Sequence, residues 1–353
     1  MSIQKHRAAI DKIDAQIVKL LNRRTKHVLG IGQAKLASGK TPYQPDREQA
    51  LLRRICKLND GPISDESLRH IYREVMSSSI ALQKTFTIAF LGPEATYTHQ
   101  AAVRRFGTSL NYAPQKTIAE VFAEVEKNRA EYGVVPVENT TEGVVTHTLD
   151  MFVDSPLQII AQIIMPIEHC LIGKGTVDSV KKLYSHPQAY AQCRNWVRET
   201  MPRVEFIGSS STTAAAALAA KSKTAAAISS ALAAEKYSLN ILEAGIQDHS
   251  GNATRFLVLG QSGSASTGND RTSLMFTVND KVGALHNALQ PFRSLRLNMT
   301  KIESRPSKRK AWEYIFFVDV DGHADDPKVA KAIAKLSETC SFVKILGSYP
   351  NAD

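Results

Sequence analysis

Hydrophobic positions in the first 84 residues recur every three or four positions, which is the repeat of one face of an α-helix. This pattern predicts a long helix over residues 7–37, a proline-containing break at 41–45, and a second helix over 46–58. A third helix is predicted over 64–83, with Ser64 as its N-cap. Because three helices with so few loops cannot easily close a core, we expect a homodimer to bury their apolar faces.

From residue 86 the pattern changes to short apolar runs that alternate with helical segments. Such alternation is typical of an α/β domain. A segment rich in glycine and serine follows at 261–270 and is interpreted as a linker. Examples of the apolar runs that we assign to strands are 86–91, 132–137, 157–164, 204–207, 225–228 and 255–259.

The last part of the chain predicts the order strand, helix, strand, strand, helix, strand, which is the ferredoxin-like arrangement. Its elements are predicted at 273–278, 282–292, 298–304, 312–320, 327–338 and 342–346. We therefore expect a multidomain protein with an all-α domain at 1–84, an α/β domain at 85–261 and a ferredoxin-like domain at 271–353.

The charge distribution argues against a nucleic-acid partner, although the net charge of +10 suggests one. Residues 1–84 hold 16 Lys and Arg against 8 Asp and Glu, so 16 minus 8 places +8 of the excess there. Their only aromatic residues are Tyr43 and Tyr72, too few for a platform on which bases stack. Small anionic substrates remain compatible with this charge.

Cysteine usage and hydropathy favour a reducing, cytoplasmic setting. The four cysteines are scattered, without the paired spacing of a metal site or a disulfide framework. No apolar stretch reaches the length that spans a membrane, and the polar N-terminus lacks the apolar core of a signal peptide. No cofactor and no metal are expected.

Two cations interrupt the apolar face of the first predicted helix. With Arg7 at zero and a step of about 100° per residue, Arg24 and Lys35 fall near 260° and 280°, among the isoleucines and leucines. Ser79 and Gln83 interrupt the apolar face of the third helix in the same way. A buried cation needs an anionic partner, so these residues indicate a pocket for a carboxylated ligand. Snorkelling, a structural ion pair or a satisfied polar core network are the alternatives.

These positions together resemble the all-helical class of chorismate mutase, which forms an intertwined dimer. The resemblance implies a rearrangement of chorismate to prephenate, with Lys35 and Gln83 as catalytic donors to the breaking ether bond. Arg24, and Arg7 from the partner subunit, would bind the substrate carboxylates, and Glu48 would orient its hydroxyl. The implied chorismate-binding residues are Arg7, Arg24, Lys35, Gln44, Arg47, Glu48, Ser79 and Gln83.

Four motifs and a hydroxyl cluster, in this order along the middle domain, resemble prephenate dehydratase. The motifs are Gly92–His99, Pro136–Thr140, Ser185–Gln188 followed by Gln192-Cys193, and Asn252–Phe256, and the hydroxyl cluster is Ser209–Thr213. Taken one at a time, each fits an ordinary turn, helix start or strand end. Ala95 stands where the family motif usually has glycine, and alanine would be strained there if the position needs a positive φ.

The resemblance implies two α/β lobes around a cleft, like a solute-binding protein, and conversion of prephenate to phenylpyruvate. Thr254 is the residue that the family indicates as essential. A hydroxyl is a weak acid, so we interpret it as a hydrogen-bond donor to the departing hydroxide. For His186, a structural turn role is the alternative. The implied prephenate-binding residues are Asn139, His186, Gln188, Ser211, Thr212, Thr254 and Arg255.

Two motifs of the last domain resemble the phenylalanine-binding form of the ACT domain. They are Gly283-Ala284-Leu285 at a helix start and Glu303-Ser304-Arg305-Pro306 at a strand end. The resemblance implies that L-phenylalanine binds these seven residues between paired ACT domains and inhibits the enzyme, which would then be a homodimer or homotetramer.

Three alternatives remain open at this point. The chain could retain only one of the two activities, or it could be a non-enzymatic amino-acid sensor with a solute-binding cleft. A sensor, however, would need no cations on the apolar face of a helix. A nucleic-acid binder is the third, and it would bind RNA or DNA with a steep dependence on salt.

Overall fold

The computed structural model describes residues 2–37, 45–307 and 313–351. They fall into two compact units, one formed by residues 1–87 with 105–111 and the other by 88–104 with 112–353.

The first unit contains three helices, α1 (Ile3–Ala37), α2 (Pro45–Lys57) and α3 (Asp65–Ala81). The predicted helices are confirmed, and α1 begins four residues before its predicted start at residue 7. Ser64 caps α3 as predicted, because its Oγ accepts a hydrogen bond from the Ser67 N–H at 3.1 Å.

The apolar face of α1 is open to solvent in the single chain. Five of its residues are between 47% and 61% exposed, namely Ile10, Ile13, Ile17, Leu20 and Ile31. A long helix that leaves such a face uncovered gains little from burial of its own apolar surface.

The second unit begins with two lobes, each built on one sheet. The first lobe contains β1 (Thr87–Leu91), α4 (Tyr97–Phe106), β2 (Asn111–Gln115), α5 (Ile118–Glu126), β3 (Tyr132–Asn139), β4 (Gly143–Val144), α6 (Thr146–Met151) and β5 (Gln158–Pro166). The second lobe contains β6 (Cys170–Gly173), β7 (Lys182–Ser185), α7 (Pro187–Gln192), α8 (Arg194–Thr200), β8 (Glu205–Gly208), α9 (Thr212–Ala219), β9 (Ala225–Ser229), α10 (Ala231–Lys236) and β10 (Asn240–Glu243). The chain then returns to the first lobe with β11 (Ala253–Gly260).

Both sheets are mixed. Sheet 1 has the order β2-β1-β3-β11-β5 with β4 beside β3, and sheet 2 has the order β10-β6-β9-β7-β8. In sheet 1, β11 is antiparallel to both β3 and β5, so the end of β3 lies beside the beginning of β11. The α/β prediction is confirmed.

The rest of the second unit is a four-stranded antiparallel sheet with two helices on one face. Its elements are β12 (Asp270–Thr277), α11 (Ala284–Ser294), β13 (Met299–Pro306), β14 (Tyr314–Asp321), α12 (Pro327–Thr339) and β15 (Phe342–Pro350). This sheet 3 has the order β13-β14-β12-β15, and the predicted order of strands and helices is confirmed.

Sheet 3 packs against sheet 1 and shares a core with it. Val135 and Leu257 of sheet 1 belong to the same buried cluster as Met275, Phe317 and Tyr349 of sheet 3. The linker of 261–270 therefore joins two parts that are held together by apolar burial, and not two independent domains.

Gly347 lies at the closest approach of β15 to sheet 1. Its φ is +152°, and a Cβ there would overlap the backbone of Ile159. We therefore expect Gly347→Ala to destabilise the second unit by about 3 kcal/mol, because the backbone of either strand must move. Scanning calorimetry should show a fall in Tm of roughly 5–10 °C.

Gly268→Ala is the matched control for this prediction. Gly268 also has a positive φ, of +81°, but a Cβ there meets nothing within 4 Å. A loss of stability as large as that of Gly347→Ala would show that backbone conformation alone, and not the overlap with Ile159, causes the effect.

Candidate active sites

The first candidate site lies on the helices of the first unit, where α1 and α3 meet. The Nη1 of Arg24, a half-buried residue, donates to the Oγ of Ser79 at 3.3 Å, and that hydroxyl donates to the Val75 carbonyl at 2.6 Å. Ser79 itself is buried. The cation is therefore held by a polar group on the neighbouring helix, and its remaining donors are available to an anion.

Gln83 lies against α1 at a glycine. A Cβ at Gly32 would overlap the Gln83 side chain, so a larger residue at this crossing would require that side chain to move. Lys35 follows on α1 less than one turn later, and its side chain lies outside the described residues, as does Gln44. The structure thus brings Arg24, Ser79 and Gln83 together, as the sequence predicted.

Glu48 on α2 has a partner that the sequence did not reveal. Its carboxylate is buried and accepts from Arg105 Nη1 at 3.1 Å. Arg105 lies 57 positions further along the chain, near the end of α4 and within the segment 105–111 that belongs to the first unit, and no local pattern predicts that pairing. Arg7 and Arg47 are exposed, and the structure places neither beside Arg24.

The second candidate site lies where β3 ends beside the start of β11. Asn139 Nδ2 donates to Thr254 Oγ1 at 2.8 Å and to Asn252 Oδ1 at 2.7 Å. The amide orientation is fixed, because Asn139 Oδ1 accepts from the backbone N–H groups of Thr141 and Glu142 at 2.9 and 3.0 Å. Since Thr254 accepts from Asn139, its own hydroxyl proton is left to donate elsewhere.

From Asn252 the hydrogen bonds continue into the second lobe. Asn252 Nδ2 donates to Gln192 Oε1 at 2.9 Å, and Gln192 Nε2 donates to Glu142 at 3.0 Å. Gln188 also donates to Glu142, at 3.3 Å. The Glu142 carboxylate on the first lobe therefore accepts hydrogen bonds from two side chains of α7. These hydrogen bonds connect the two lobes across the cleft.

His169 and Tyr97 extend this network into the interior. His169 Nε2 lies 2.8 Å from Gln192 Oε1, and its Nδ1 lies 2.9 Å from the Tyr97 hydroxyl. Because Gln192 Oε1 is an acceptor, Nε2 carries the proton and Nδ1 is left as an acceptor. The single proton of the Tyr97 hydroxyl lies between two acceptors, this Nδ1 and the Glu168 carbonyl, each at 2.9 Å. Burial lowers the pKa of His169 and raises the pKa of Tyr97 well above its usual value, so both stay neutral.

A cavity of about 300 Å³ opens beside this network. Glu142, Gln192 and Asn252 line it, and so do two basic residues, Arg194 and His249. Thr254 does not line this cavity. Hydrogen bonds through Asn139 connect Thr254 to Asn252, which does line it. Tyr97, Gln192 and Asn252 stood in the sequence motifs without an assigned role, whereas Glu142, His169, Arg194 and His249 gave no sequence signal.

Two predicted groups of prephenate-binding residues, His186 with Gln188 and Ser211 with Thr212, lie at one edge of sheet 2. Because β7 and β8 are parallel, with Ser185 opposite Gly208, the residues that follow them meet at the carboxyl ends of these strands. His186 caps α7, since its Nδ1 accepts from the Gln188 N–H at 3.4 Å, which is the structural role considered above. Ser211 caps α9 through the Ala214 N–H, and Thr212 is the first residue of that helix.

Arg255 does not join Thr254, contrary to the expectation that both bind prephenate. Its guanidinium pairs with Asp319 of sheet 3 at 2.6 Å, and it lies 3.8 Å from Glu138. Adjacent residues of a strand point to opposite faces, so Thr254 and Arg255 cannot both face the cleft.

The first motif contains the strained alanine that the sequence suggested. Ala95 has a φ of 63°, is buried, and accepts a hydrogen bond from Ser230 of the second lobe. An alanine in this region costs about 1 kcal/mol. Glu94 beside it pairs with Lys236 of α10, which lowers the pKa of Glu94 through that hydrogen bond.

The third candidate site is a cavity of about 660 Å³ at the start of α11. Gly283, with a φ of +75°, lines it together with Ala284 and Leu285. The other predicted motif, Glu303 to Pro306, lies on β13 and pairs with the segment of β14 that carries two lining residues, Tyr314 and Phe316. In the single chain the second motif does not line the cavity, and Arg305 lies 3.5 Å from Asp150 of α6.

Within residues 2–37, 45–307 and 313–351, no cluster of three or more His, Cys, Asp or Glu side chains is arranged to hold a metal ion. Among the same residues, no helix is both long and apolar enough to cross a membrane.

Three family models match the chain in succession. Chorismate mutase type II matches residues 6–84, prephenate dehydratase matches 88–264, and the ACT domain matches 272–338. The fold and these matches define a multidomain enzyme with two catalytic domains and an ACT domain.

Similar proteins span the whole chain. The bifunctional chorismate mutase/prephenate dehydratase of Aquifex aeolicus is 46% identical over 99% of this chain and 98% of its own length. The protein of the same description from Neisseria gonorrhoeae is 44% identical, over 98% and 96%. This chain belongs to the family of bifunctional chorismate mutase/prephenate dehydratases and is an enzyme with both activities.

One similar solved structure is a prephenate dehydratase from Arthrobacter aurescens in complex with L-Phe. It is 34% identical, has a TM-score of 0.71, and covers 76% of this chain and 90% of its own.

Proposed function

We propose that the residues of the helical unit bind chorismate and convert it to prephenate without covalent catalysis. The rearrangement is pericyclic, so the protein contributes by holding the reactive conformer and stabilising the charge that develops. Arg24, supported by Ser79, would bind a carboxylate, since a planar guanidinium matches it in a bidentate manner. Lys35 and Gln83 would donate to the ether oxygen as its bond breaks.

The remaining binding residues complete this site. Glu48 would orient the substrate hydroxyl while Arg105 holds its carboxylate in place. Arg47 and Gln44 would also contact chorismate, as the family resemblance implies. Arg7, on the exposed face of α1, would come from a partner subunit, so the site would be complete only in a dimer.

The exposed apolar face of α1 supports that homodimer. Burial of several isoleucine and leucine side chains against a second copy would contribute about 1.5–3 kcal/mol each when complete. A tetramer would follow if the ACT domains also pair.

We propose that Thr254 acts on prephenate as a hydrogen-bond donor. The observation that carries this proposal is the Asn139–Thr254 contact, in which Asn139 donates and leaves the threonine proton free. The carboxylate leaves the ring as carbon dioxide, its bonding electrons complete the aromatic ring, and the ring hydroxyl departs as hydroxide that takes a proton. Thr254 would stabilise the negative charge on that departing oxygen.

The substrate carboxylates need cationic or amide partners in the same cleft. Arg194 and His249 line the cavity, and Ser211 and Thr212 begin α9, whose N-terminal amides favour an anion. Gln188 would contact the substrate from α7. Arg255 is left out of this binding set because it is paired with Asp319.

One assay on the purified chain tests both sites. Chorismate and prephenate are supplied separately, and formation of prephenate and of phenylpyruvate is followed. Lys35→Ala should abolish only the mutase, and Thr254→Ala only the dehydratase. Loss of both activities in either variant would contradict two separate sites.

We further propose that the cavity at α11 binds L-phenylalanine and that binding inhibits the dehydratase. A small apolar ligand with charged ends suits a cavity of about 660 Å³ lined by Leu285, Phe316 and Lys281. Glu303 to Pro306 would contact the ligand across a pair of ACT domains, one from each subunit.

Gly283→Val should weaken L-phenylalanine binding by at least about tenfold, because a branched side chain is strained at a φ of +75° and shifts the start of α11. Calorimetric titration measures the affinity. Gly268→Val is the matched control, since it has a similar φ of +81° but lies outside the cavity. Equal affinity in the two variants would place the ligand elsewhere.

The proposed domain bounds are 1–84, 85–261 and 271–353. A cytoplasmic location is proposed from the biosynthetic character of the two reactions and from the scattered cysteines.

A further inference from the structure

The strands β3 and β11, which carry Asn139 and Thr254, also carry two residues of opposite charge on their other face. Asn139 and Thr254 are cross-strand partners on β3 and β11, and so are the adjacent residues Glu138 and Arg255. Because side chains alternate along a strand, the first pair faces the cleft and the second faces sheet 3.

Both charged residues are held by sheet 3. Arg255 Nη2 bonds Asp319 at 2.6 Å, and Lys301 Nζ bonds Glu138 at 2.8 Å. Asp319 and Lys301 are themselves cross-strand partners, on β14 and β13. We call these four residues, Glu138, Arg255, Lys301 and Asp319, the charge quartet.

The charge quartet is mostly removed from solvent. The side chains of Arg255, Asp319 and Lys301 are 12%, 6% and 11% exposed, while Glu138 is 37% exposed. Asp319 is further fixed by the hydroxyl of Ser273 at 2.5 Å, which in turn contacts Tyr349 at 2.6 Å. Charges in such surroundings interact strongly, and loss of one leaves its partner buried without compensation.

The quartet is also close in sequence to the second motif of the ACT domain. Lys301 lies two residues before Glu303 on β13, and Arg305 on the same strand lies 3.5 Å from Asp150. A ligand that binds Glu303 to Pro306 therefore contacts β13, the strand whose Lys301 pairs with Glu138. Because β13 pairs with β14, the same ligand also affects the strand whose Asp319 pairs with Arg255.

We propose that the charge quartet positions the Asn139–Thr254 pair and transmits the state of the ACT sheet to it. Asp319 and Lys301 fix the backbones of β11 and β3 from behind, one residue away from Thr254 and Asn139. A shift of sheet 3 changes the separation or tilt of these two strand ends, and with it the direction of the Thr254 hydroxyl. The transmission part of this proposal rests on phenylalanine sensing by the ACT domain, whereas the positioning part does not.

The test uses the full chain and two variants, Asp319→Asn and Lys301→Met. We expect the dehydratase kcat to fall by about tenfold with little change in KM, since only the positioning of a donor is lost. Inhibition by saturating L-phenylalanine should fall severalfold while its affinity, measured by calorimetry, stays within about threefold. The mutase rate should stay within about twofold of the wild type and reports on folding.

Two further variants separate positioning from loss of folded protein. Asp321→Asn on the same strand changes a carboxylate that accepts from Asn298, just before β13, and belongs to no pair with sheet 1 among the described residues, and it should leave kcat and inhibition unchanged. Asp319→Glu keeps the charge and should restore much of kcat. A smaller fraction of folded enzyme would lower kcat but leave the shape and extent of inhibition as in the wild type.

Three results would overturn the proposal. These are wild-type kcat and inhibition in both Asp319→Asn and Lys301→Met, equal losses in Asp321→Asn, or loss of phenylalanine binding together with inhibition. If the wild-type chain itself neither binds nor responds to L-phenylalanine, sensing is refuted, and the kcat of Asp319→Asn alone then decides the positioning role.

Discussion

Replacing Thr254 with valine is expected to lower the dehydratase kcat by about 10²–10³, with the mutase rate unchanged. Valine keeps the shape of the side chain and removes only the hydroxyl that would donate to the departing oxygen. The fold should tolerate the change, because Asn139 Nδ2 retains Asn252 Oδ1 as an acceptor at 2.7 Å. Phenylpyruvate formation from prephenate measures the effect, with circular dichroism as the check on folding.

Two controls sharpen this prediction. Thr254→Ser keeps a hydroxyl and should retain activity within about tenfold, since the donor survives on a less constrained side chain. Thr148→Val removes a buried hydroxyl that donates to the Pro136 carbonyl on β3, so it costs stability without removing a donor from the cleft. If Thr148→Val lowered kcat as much as Thr254→Val, the loss would reflect a disturbed strand and not a missing donor.

Replacing Arg24 with alanine is expected to lower the mutase kcat/KM by about 10²–10³, because a desolvated carboxylate would lose its charged partner. Arg24→Lys should recover only part of the loss, since a single ammonium cannot reproduce the planar fork. Consumption of chorismate measures the effect, and the dehydratase rate on prephenate should not change.

Arg23→Ala is the matched control on the same helix. Arg23 precedes Arg24 but is exposed, whereas Arg24 is half-buried and bonds Ser79. Arg23→Ala removes the same charge from the chain and should leave kcat/KM within about twofold, as surface charges remote from a site contribute little. Similar losses in both variants would point to the general positive charge of the helix instead of a binding role for Arg24.

The order of elements was largely predictable because periodicity is a local property. The three helices, the N-cap at Ser64 and the ferredoxin-like order of the last part all followed from spacing and capping residues. Strand ends were less certain. Strand β5 extends to Pro166, two residues beyond its predicted end, because pairing with β11 decides where it stops.

The candidate sites were predictable only in part. Arg24, Ser79 and Gln83 could be chosen because a polar residue on an apolar helix face is visible in the sequence. The Asn139–Thr254 pair came from motif resemblance, since the two residues are 115 positions apart. Glu142, His169 and Arg194 gave no sequence signal, because their roles arise from the closing of two lobes.

For Arg255, its position next to Thr254 in the sequence did not predict where its side chain lies. It follows Thr254 and was assigned to the same ligand, yet the two side chains emerge on opposite faces of β11. The sequence could not reveal that sheet 3 covers the second face, since Asp319 lies 64 positions away.

By itself, the sequence determined the helices of the first unit, the alternation of strands and helices after them, the order of the three modules, and the residue types that each site needs, because periodicity, caps and short motifs act over a few residues. The tertiary structure alone decided which of those residues meet. It paired Glu48 with Arg105, directed Thr254 and Arg255 to different faces, and joined the ACT sheet to the dehydratase sheet through the charge quartet. Those outcomes depend on long-range packing and strand register, in which residues distant along the chain share one buried, low-dielectric environment.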